Sequence, residues 1–418
     1  MSGAGVSGAG LSGCPVRSFL DLDTFAGGMP RDRLDALRRE HRVLWEADGF
    51  ATGRHLLVLQ QADIDHVLKS PALFSSGEGP LLDDFPAEIL ADQRQSLTFK
   101  DPPDHRRHRA LVEGAFRTQA LEERLPQMQA IAAEIVDRVI DRGSCEFVSE
   151  VAIQLPLRVM CMVLGVPDAD RQHIVDLTDT LIMADDPDFA RDRAEGFMAS
   201  IALIDYGEAL AARERANPGD TLTTRILAAE IDGERLSDRD FGRFFNNLIV
   251  GGIETTRNTL SWAMFEFWRH PEQYRMLQAD PSLVDAAVEE VLRYRNPVVY
   301  LRRTATGETE VGGERVAAGD KLVCLLGSPN RDERFFAEPE RFDITRPPAN
   351  TRRHYRTFGA GPHFCVGMHQ ARLNLTVMLG EIARRIDDPQ VIGAPRHARS
   401  IFLDGFKELN LAFKRREH

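Results

Sequence analysis

Apolar residues recur along most of the chain at intervals of three and four positions, the spacing that places them on one side of an α-helix. This periodicity predicts helices over residues 31–41, 61–69, 104–116, 121–142, 189–217 and 280–294. Strand-like segments are fewer and shorter, and Gly-Gly and Ala-Gly-Asp turns separate several of them. These segments cover residues 54–59, 298–306, 310–316 and 321–326. The pattern therefore predicts a mainly α fold with small β-sheets.

The longest predicted helix begins after Ser237 and ends near Arg269, where His270-Pro271 stops it. Ser237 can cap the first turn, and Asp240 stands three positions further on, as in a capping box. About 32 residues rising about 1.5 Å each give a helix near 48 Å long, enough to cross the whole molecule.

Gly251 and Gly252 lie in the middle of this helix, where each costs about 1 kcal/mol relative to alanine. Two explanations are open at this point. Another helix packs closely against them, or a flat or bulky group approaches the backbone beside Glu254-Thr255-Thr256.

Composition narrows the functional classes. The 418 residues carry 52 Lys and Arg against 64 Asp and Glu, a net charge of −12, which argues against binding nucleic acid or an anionic membrane. No apolar run approaches the roughly 18 residues of a membrane-spanning helix, so no membrane anchor is predicted. Residues 1–15 form a Gly/Ser-rich near-repeat, interpreted as a flexible tail before one domain spanning 16–418.

The five cysteines are odd in number and widely spread, and none forms a CxxC pair. A disulfide framework or a structural zinc site is therefore not expected, and a reducing, cytoplasmic location is predicted. They are Cys14, Cys145, Cys161, Cys324 and Cys365.

The segment Phe358-Gly-Ala-Gly-Pro-His-Phe-Cys365-Val-Gly367 is the most informative stretch for chemistry. Its glycines allow the backbone to approach a partner and to turn amide groups inward, and inward amides favour a thiolate at Cys365. A predicted helix over residues 368–384 adds its N-terminal dipole. These residues leave three roles open for Cys365: a nucleophile with His363 as base, a single thiolate ligand of heme iron, or a buried thiol.

These ten residues match in full the heme-binding signature F-x-x-G-x-x-x-C-x-G of the cytochrome P450 family. Four other segments resemble family motifs in the expected order, and the resemblance runs from about Phe19 to Phe413. They are Asp101-Pro-Pro-Asp-His105-Arg-Arg-His-Arg109, Gly251-Gly-Ile-Glu254-Thr255, Glu290-Val-Leu-Arg293 and Pro339-Glu-Arg341-Phe342. The resemblance implies the cytochrome P450 fold, with the long central helix over a heme.

The resemblance also implies heme b, iron protoporphyrin IX, as cofactor, with Cys365 as the axial thiolate. Positions matching the family's heme contacts are His105, Arg109, Gly251, Gly252, Arg303, Phe358, His363 and Gly367. Two alternatives stay open: residues 105–109 form only a solvated basic face, or Arg302 takes the place of Arg303.

Two further groups follow from the resemblance. Glu254 and Thr255 match the acid–alcohol pair that relays protons to oxygen in monooxygenases. Glu290 and Arg293 match a structural ion pair, with Arg341 expected as its third partner.

The implied reaction is hydroxylation of a C–H bond by O2 in a lipophilic small molecule of terpenoid, steroid or alkyl-chain type. Expected pocket residues are Leu82, Phe85, Met183, Asn247, Leu248, Val250, Val298, Val299 and Phe402. The competing classes are a non-catalytic heme sensor and a thiol hydrolase that uses Cys365.

A chain of this length has no room for a reductase domain, so a ferredoxin with its reductase is the expected electron source, and the enzyme is expected to be a monomer. A basic patch around the heme helix and the cysteine loop would steer an acidic donor. The alternative is that these arginines are scattered and simply solvated. They are Arg106, Arg107, Arg117, Arg352, Arg353 and Arg356.

Overall fold

The structure is a computed structural model that describes residues 18–46, 53–116, 118–186, 188–190 and 192–417. The predicted tail at residues 1–15, together with Cys14 and Arg117, lies outside the described residues. None of the helices formed by the described residues is both long enough and apolar enough to span a bilayer.

Helices dominate the described chain, as the periodicity predicted. They are α1 (Arg31–Glu40), α2 (Gln61–Lys69), α3 (Ala87–Gln93), α4 (Asp104–Glu113), α5 (Thr118–Glu122), α6 (Leu125–Ile140), α7 (Gln154–Leu164), α8 (Arg171–Ile182), α9 (Arg193–Ala216), α10 (Leu222–Ala228), α11 (Asp238–Arg269), α12 (Pro271–Ala279), α13 (Val284–Tyr294), α14 (Pro348–His354) and α15 (Met368–Arg385). Helix α9 begins four residues later than predicted, because the side chain of Asp192 accepts a hydrogen bond from Glu195 N and caps the first turn.

The strands are short and form small sheets. They are β1 (Val43–Glu46), β2 (His55–Val58), β3 (Phe74–Ser75), β4 (Ser144–Glu146), β5 (Glu230–Ile231), β6 (Glu234–Arg235), β7 (Tyr300–Ala305), β8 (Thr309–Val311), β9 (Glu314–Val316), β10 (Lys321–Leu325), β11 (Ile386–Val391), β12 (Arg396–His397), β13 (Phe406–Glu408) and β14 (Asn410–Arg415).

The largest sheet has the order β1-β2-β10-β7-β3, in which β2 and β10 are parallel and the other pairs antiparallel. A second sheet has the order β11-β14-β4, and the remaining strands form two-stranded pairs. In the large sheet Arg302 and Arg303 follow one another on β7, so their side chains point to opposite faces.

The central helix α11 is confirmed from Asp238 to Arg269. Ser237 caps it, since its hydroxyl oxygen accepts a hydrogen bond from Asp240 N at 3.1 Å. Most of its residues are buried among α7, α8, α9, α13 and α15. Helix α9 packs so closely against α11 that position 242 must be glycine. A methyl group on Gly242 would collide with the carbonyl oxygen of Ile204 on α9.

Candidate active site

The segment from Phe358 to Gly367 forms a turning loop that leads directly into α15. Gly359 and Gly361 both have φ of +72°, a conformation that side-chain-bearing residues rarely adopt. Gly361 also approaches α2 so closely that a methyl group would collide with the carbonyl oxygen of Leu68. The loop closes through a 3.0 Å hydrogen bond from Cys365 N to Phe358 O. The glycines therefore fix where Cys365 stands.

The surroundings of Cys365 modify the expectation that inward amides alone make it a thiolate. Burial raises the pKa of its thiol, and the N–H of Gly367 together with the charges of Arg109 and Arg372 only partly offset this effect. A metal ion bound to the sulfur would supply a further positive charge that favours the thiolate.

The side chain of His363 points to partners other than Cys365. Its Nε2 lies 3.1 Å from the hydroxyl oxygen of Ser76, and its ring centroid lies 4.0 Å from that of His105. A cysteine nucleophile needs its base within hydrogen-bond reach. These contacts give the hydrolase alternative no support.

Four cationic or titratable side chains gather around the loop, from α4, β7 and the loop itself: His105, Arg109, Arg303 and His363. Burial lowers the pKa of His105 to about 4 and that of His363 to about 2, and neighbouring arginines add to the effect. Burial also lowers the pKa of Arg303, whose hydrogen bond runs to the Arg302 carbonyl at 2.7 Å. The site is thus short of negative charge.

Arg109 holds the loop from α4. Its Nη1 donates to the carbonyl oxygen of Phe364 at 2.6 Å, and its Nε donates to Glu113 at 2.6 Å. Residues 105–109 are therefore more than a solvated basic face, because His105 is buried and Arg109 binds the cysteine loop.

Arg302 and Arg303 take separate roles. Arg302 turns to the other face of β7 and donates to the carbonyl oxygens of Leu81, Leu82 and Asp83, with Asp84 2.8 Å away. Arg303 is left on the side of His105 and His363.

An anionic cofactor with two carboxylates would satisfy this cluster. His105 Nδ1 is buried and has no hydrogen-bond partner among the described residues, and Arg303 has no ion pair with a carboxylate there. Guanidinium groups are well suited to carboxylates, and the propionates of heme are carboxylates. The residues present therefore fit heme.

The sequence left two explanations for the glycines in α11, close helix packing or the approach of a bulky group, and the structure gives a different one for each glycine. A methyl group on Gly252 would meet the side chain of Met160 on α7 at 3.0–3.2 Å, so Gly252 serves close helix packing. A methyl group on Gly251 would meet nothing within 4 Å, so the space beside Gly251 is open. Thr255, one turn further on, donates its hydroxyl to Gly251 O at 2.9 Å and is half-buried.

Glu254 is buried on another side of the same helix. Its carboxylate contacts the guanidinium of Arg257, whose Nη1 lies 2.6 Å from Asp179 on α8. Burial raises the pKa of Glu254, and the charge of Arg257 only partly opposes it. Consecutive helical residues do not face each other, so a proton on Glu254 reaches Thr255 only through side-chain rotation or an intervening water.

Glu290 and Arg293 form a fully buried ion pair on α13, with nitrogen–oxygen distances of 2.7 and 2.8 Å. Arg293 also donates to the carbonyl oxygens of Asn330 and Pro339 at 2.8 and 3.0 Å. The expected role of Arg341 is corrected: its carbonyl oxygen accepts from Arg293, while its exposed guanidinium lies near Glu338 and Asp343.

Known proteins resemble this chain over most of its length. The cytochrome P450 family model matches residues 190–387. A steroid C26-monooxygenase from Rhodococcus jostii is 33% identical over 95% of this chain and 84% of its own length. A methyl-branched lipid omega-hydroxylase from Mycobacterium tuberculosis is 37% identical over 89% of this chain and 88% of its own length. The chain belongs to the cytochrome P450 family.

The structural comparison supports the same fold for this P450. A Mycobacterium marinum cytochrome P450 in complex with pseudoionone aligns with a TM-score of 0.86 and 33% identity, covering 96% of this chain and 100% of that one. The predicted cytochrome P450 fold is therefore confirmed. The protein is a monooxygenase, and its cofactor is heme.

The expected pocket residues of this P450 come from separate segments. Leu82, Val299 and Phe402 share one apolar cluster with Ile401 and Tyr300. The ring of Phe85 lies 5.6 Å from each of the rings of Phe99 and Phe197. Leu248 and Val250 belong to the cluster around α11, Met183 is buried at the end of α8, and Val298 bridges to Leu403.

Asn247 is the one polar member of the expected pocket set. It lies one helical turn before Gly251 on α11. Its Oδ1 accepts from the Thr98 hydroxyl at 3.0 Å, and its Nδ2 donates to Arg243 O at 2.8 Å.

The predicted basic patch is partly neutralised. Arg106 and Arg353 are exposed, whereas Arg107 lies 2.9 Å from Asp232 and Arg356 donates to Asp65 at 2.6 and 2.7 Å. Arg352 lies beside a cleft of about 580 Å³ on the outer side of the cysteine loop. The cleft is lined by Lys69, Arg352, Tyr355, Arg356, Phe358, Gly359, Ala360, Gly361, Phe364, Met368, His369 and Arg372.

Asn330 is a supporting residue that the sequence did not reveal. It is fully buried, its Nδ2 donates to the Thr357 hydroxyl, and its Oδ1 accepts from Arg356 N, both at 2.8 Å. Its own carbonyl is held by Arg293, so the ion pair on α13 reaches the start of the cysteine loop through this one residue.

The variant Glu290→Ala leaves the buried guanidinium of Arg293 without its carboxylate, which is expected to cost about 3–5 kcal/mol. We expect a heme-poor or insoluble protein, measured as the ratio of Soret absorbance to protein absorbance. The matched control is Glu338→Ala, because the Glu338 side chain is 73% exposed. Heme loading of Glu290→Ala equal to that of the control would contradict the assignment.

Proposed function

We propose that this P450 hydroxylates a C–H bond of a lipophilic small molecule of terpenoid, steroid or alkyl-chain type, with Cys365 as the thiolate ligand of the heme. The observation that carries the proposal is the buried polar cluster beside the loop that carries Cys365: the Arg303 guanidinium has no carboxylate partner among the described residues, and the neutral imidazole of His105 has an unpaired Nδ1. These donors fit the carboxylates of an anionic cofactor bound beside that loop.

Cys365 would hold the iron, and His105, Arg109, Arg303 and His363 would hold the propionates. Phe358 and Gly367 frame the sulfur, since the Phe358 carbonyl accepts from Cys365 N and the Gly367 N–H points to the sulfur. When bound, a thiolate-ligated heme supplies O2 activation with cleavage of the O–O bond. The open space beside Gly251 would leave room at α11 for heme and O2.

Proton delivery would be the task of Glu254 and Thr255. Thr255 stands half-buried beside the open space at Gly251, and its hydroxyl is already oriented by the Gly251 carbonyl. Glu254 has a pKa raised by burial, so it can hold a proton that an ordinary carboxyl would have lost. Thr255 would then position that proton, or a water that carries it.

The apolar surroundings support a lipophilic substrate. Leu82, Val299 and Phe402 supply an aliphatic and aromatic wall, and Phe85 sits in a cluster of three phenylalanine rings. The relatives named above are a steroid C26-monooxygenase and a methyl-branched lipid omega-hydroxylase, and the structural neighbour is a complex with pseudoionone. A terpenoid, steroid or alkyl-chain substrate agrees with both observations.

Electrons would come from a ferredoxin with its reductase in the cytoplasm. The cleft behind the cysteine loop carries Lys69, Arg352, Arg356 and Arg372, which contact two carboxylates, Asp65 and Glu289, in the described part of the chain. This excess of positive charge within an acidic protein favours an acidic donor.

The substrate proposal is tested by titrating the heme-loaded protein with a terpenoid ketone, a steroid with an aliphatic side chain and a methyl-branched fatty acid. At least one should displace water from the heme and shift it from low to high spin. Turnover of that ligand under ¹⁸O2 should place one labelled oxygen in the product. If no ligand gives the shift, or the product oxygen comes from water, the proposal is wrong.

The variant Thr255→Ala should keep the spin shift, because it removes only the hydroxyl beside Gly251. Its yield of hydroxylated product per reductant consumed should fall by roughly tenfold or more, with the balance appearing as hydrogen peroxide. The control is Thr256→Ala, because Thr256 is buried and its hydroxyl bonds Gly252 O instead. Unchanged coupling in Thr255→Ala would count against a role in proton delivery.

A further inference from the structure

Arg372 stands at the junction of the outer cleft and the cysteine loop. It lies on α15, seven residues after Cys365, and its guanidinium carbon is 4.8 Å from the ring centroid of Phe358. Its Nε donates to Glu289 Oε1 at 2.6 Å and its Nη2 to the Tyr355 hydroxyl at 2.5 Å. One cation thus contacts both a buried carboxylate and the aromatic ring that begins the loop.

Among the described residues, Glu289 is the carboxylate that pairs with Arg372, and it also pairs with Arg352. It is 1% exposed, and it accepts from Arg352 at 2.8 Å as well as from Arg372. The Tyr355 hydroxyl donates to its second oxygen at 2.6 Å. Two guanidinium groups against one carboxylate leave an excess of one positive charge.

This excess charge acts in two directions. Inward, Arg372 lies against the ring of Phe358, whose carbonyl oxygen accepts the hydrogen bond from Cys365 N, so its charge stands beside the loop that carries the sulfur. Outward, Arg372 and Arg352 both line the 580 Å³ cleft, with 17% and 46% of their side chains exposed. A carboxylate that docks in the cleft can therefore reach the same charge that stands beside the cysteine loop.

The geometry points to Arg372 as the residue whose charge sets the reduction potential of the heme. The same charge would make this potential depend on whether an acidic protein is docked in the cleft. The inference rests on the proposed coordination by Cys365. A positive charge near the thiolate favours the reduced, more negative state of the cofactor. A docked carboxylate offsets part of that charge, so the potential falls when the cleft is occupied.

The test is a spectroelectrochemical titration of heme-loaded wild-type protein and variants. Arg372→Gln removes the excess charge and should lower the reduced-to-oxidised ratio at fixed applied potential by about tenfold, equivalent to about 59 mV for one electron. A shift of this order is expected when one unit charge near a buried cofactor is removed at an effective dielectric constant of about 20. Arg372→Lys keeps the charge and should restore most of the wild-type potential.

Glu289→Gln should shift the reduction potential in the opposite direction. It should raise the potential, because it leaves the guanidinium groups of Arg352 and Arg372 without their carboxylate. Arg384→Gln is the matched control: Arg384 lies on the same helix, pairs with Glu381 and is 56% exposed. It should leave the potential unchanged. The opposite shifts of the Gln variants separate an electrostatic role from general loosening of the fold, which would move both in one direction.

The docking half of the inference is tested with hexaglutamate peptide as the probe. The peptide should lower the potential of the wild type and of Arg384→Gln at low ionic strength, and this shift should disappear in Arg372→Gln and at high salt. A wild-type potential in Arg372→Gln, or an undiminished peptide shift in that variant, would overturn the inference. A thiolate-type spectrum retained in these variants would show that the proposed function stands even if the inference fails.

Discussion

The buried ion pair between Glu290 and Arg293 is the interaction on which the position of the active site depends. Neither side chain is exposed, so the desolvation cost of both charges must be met by their mutual attraction and by hydrogen bonds. Arg293 also donates hydrogen bonds to the backbone carbonyl oxygens of Asn330, Pro339 and Arg341. Glu290 accepts a hydrogen bond from Asp343 N at 2.9 Å. A long irregular segment is thereby fixed against α13.

Asn330, which is held by Arg293, connects this ion pair to the cysteine loop. Asn330 binds Arg356 N and the Thr357 hydroxyl, and Thr357 in turn donates to Leu292 O on α13 at 2.8 Å. On the other side, Gly361 is pressed against the end of α2, and Arg109 holds the Phe364 carbonyl. The loop is thus fixed from three directions, which gives the sulfur of Cys365 a defined place. The buried guanidinium of Arg303 has no carboxylate partner among the described residues, so cofactor binding and folding of this region are expected to be coupled.

The sequence predicted those features that local pattern or motif spacing encodes. Periodicity gave α11 and its Ser237 cap, and the P450 motifs placed Cys365, Glu290 and Arg293. Helix α7 was missed because nine of its eleven residues are buried, so no polar face breaks the apolar run. The contacts of Asn330 and of Glu289 with Arg372 were also missed, because they join residues far apart in sequence and no local pattern records them. Arg302 and Arg303 could be told apart only once strand pairing showed which face each occupies.

The central claim is that Cys365, in the loop from Phe358 to Gly367, supplies a thiolate ligand to heme. Its most direct test is the absorption spectrum of the reduced, carbon monoxide-bound protein, recorded for the wild type, Cys365→Ser and the control Cys324→Ala. Cys324 is another buried cysteine, on β10. The account predicts a strongly red-shifted Soret band for the wild type and for Cys324→Ala, and its loss in Cys365→Ser. A heme-loaded wild type without that band, or a Cys365→Ser variant that keeps it, would contradict the account.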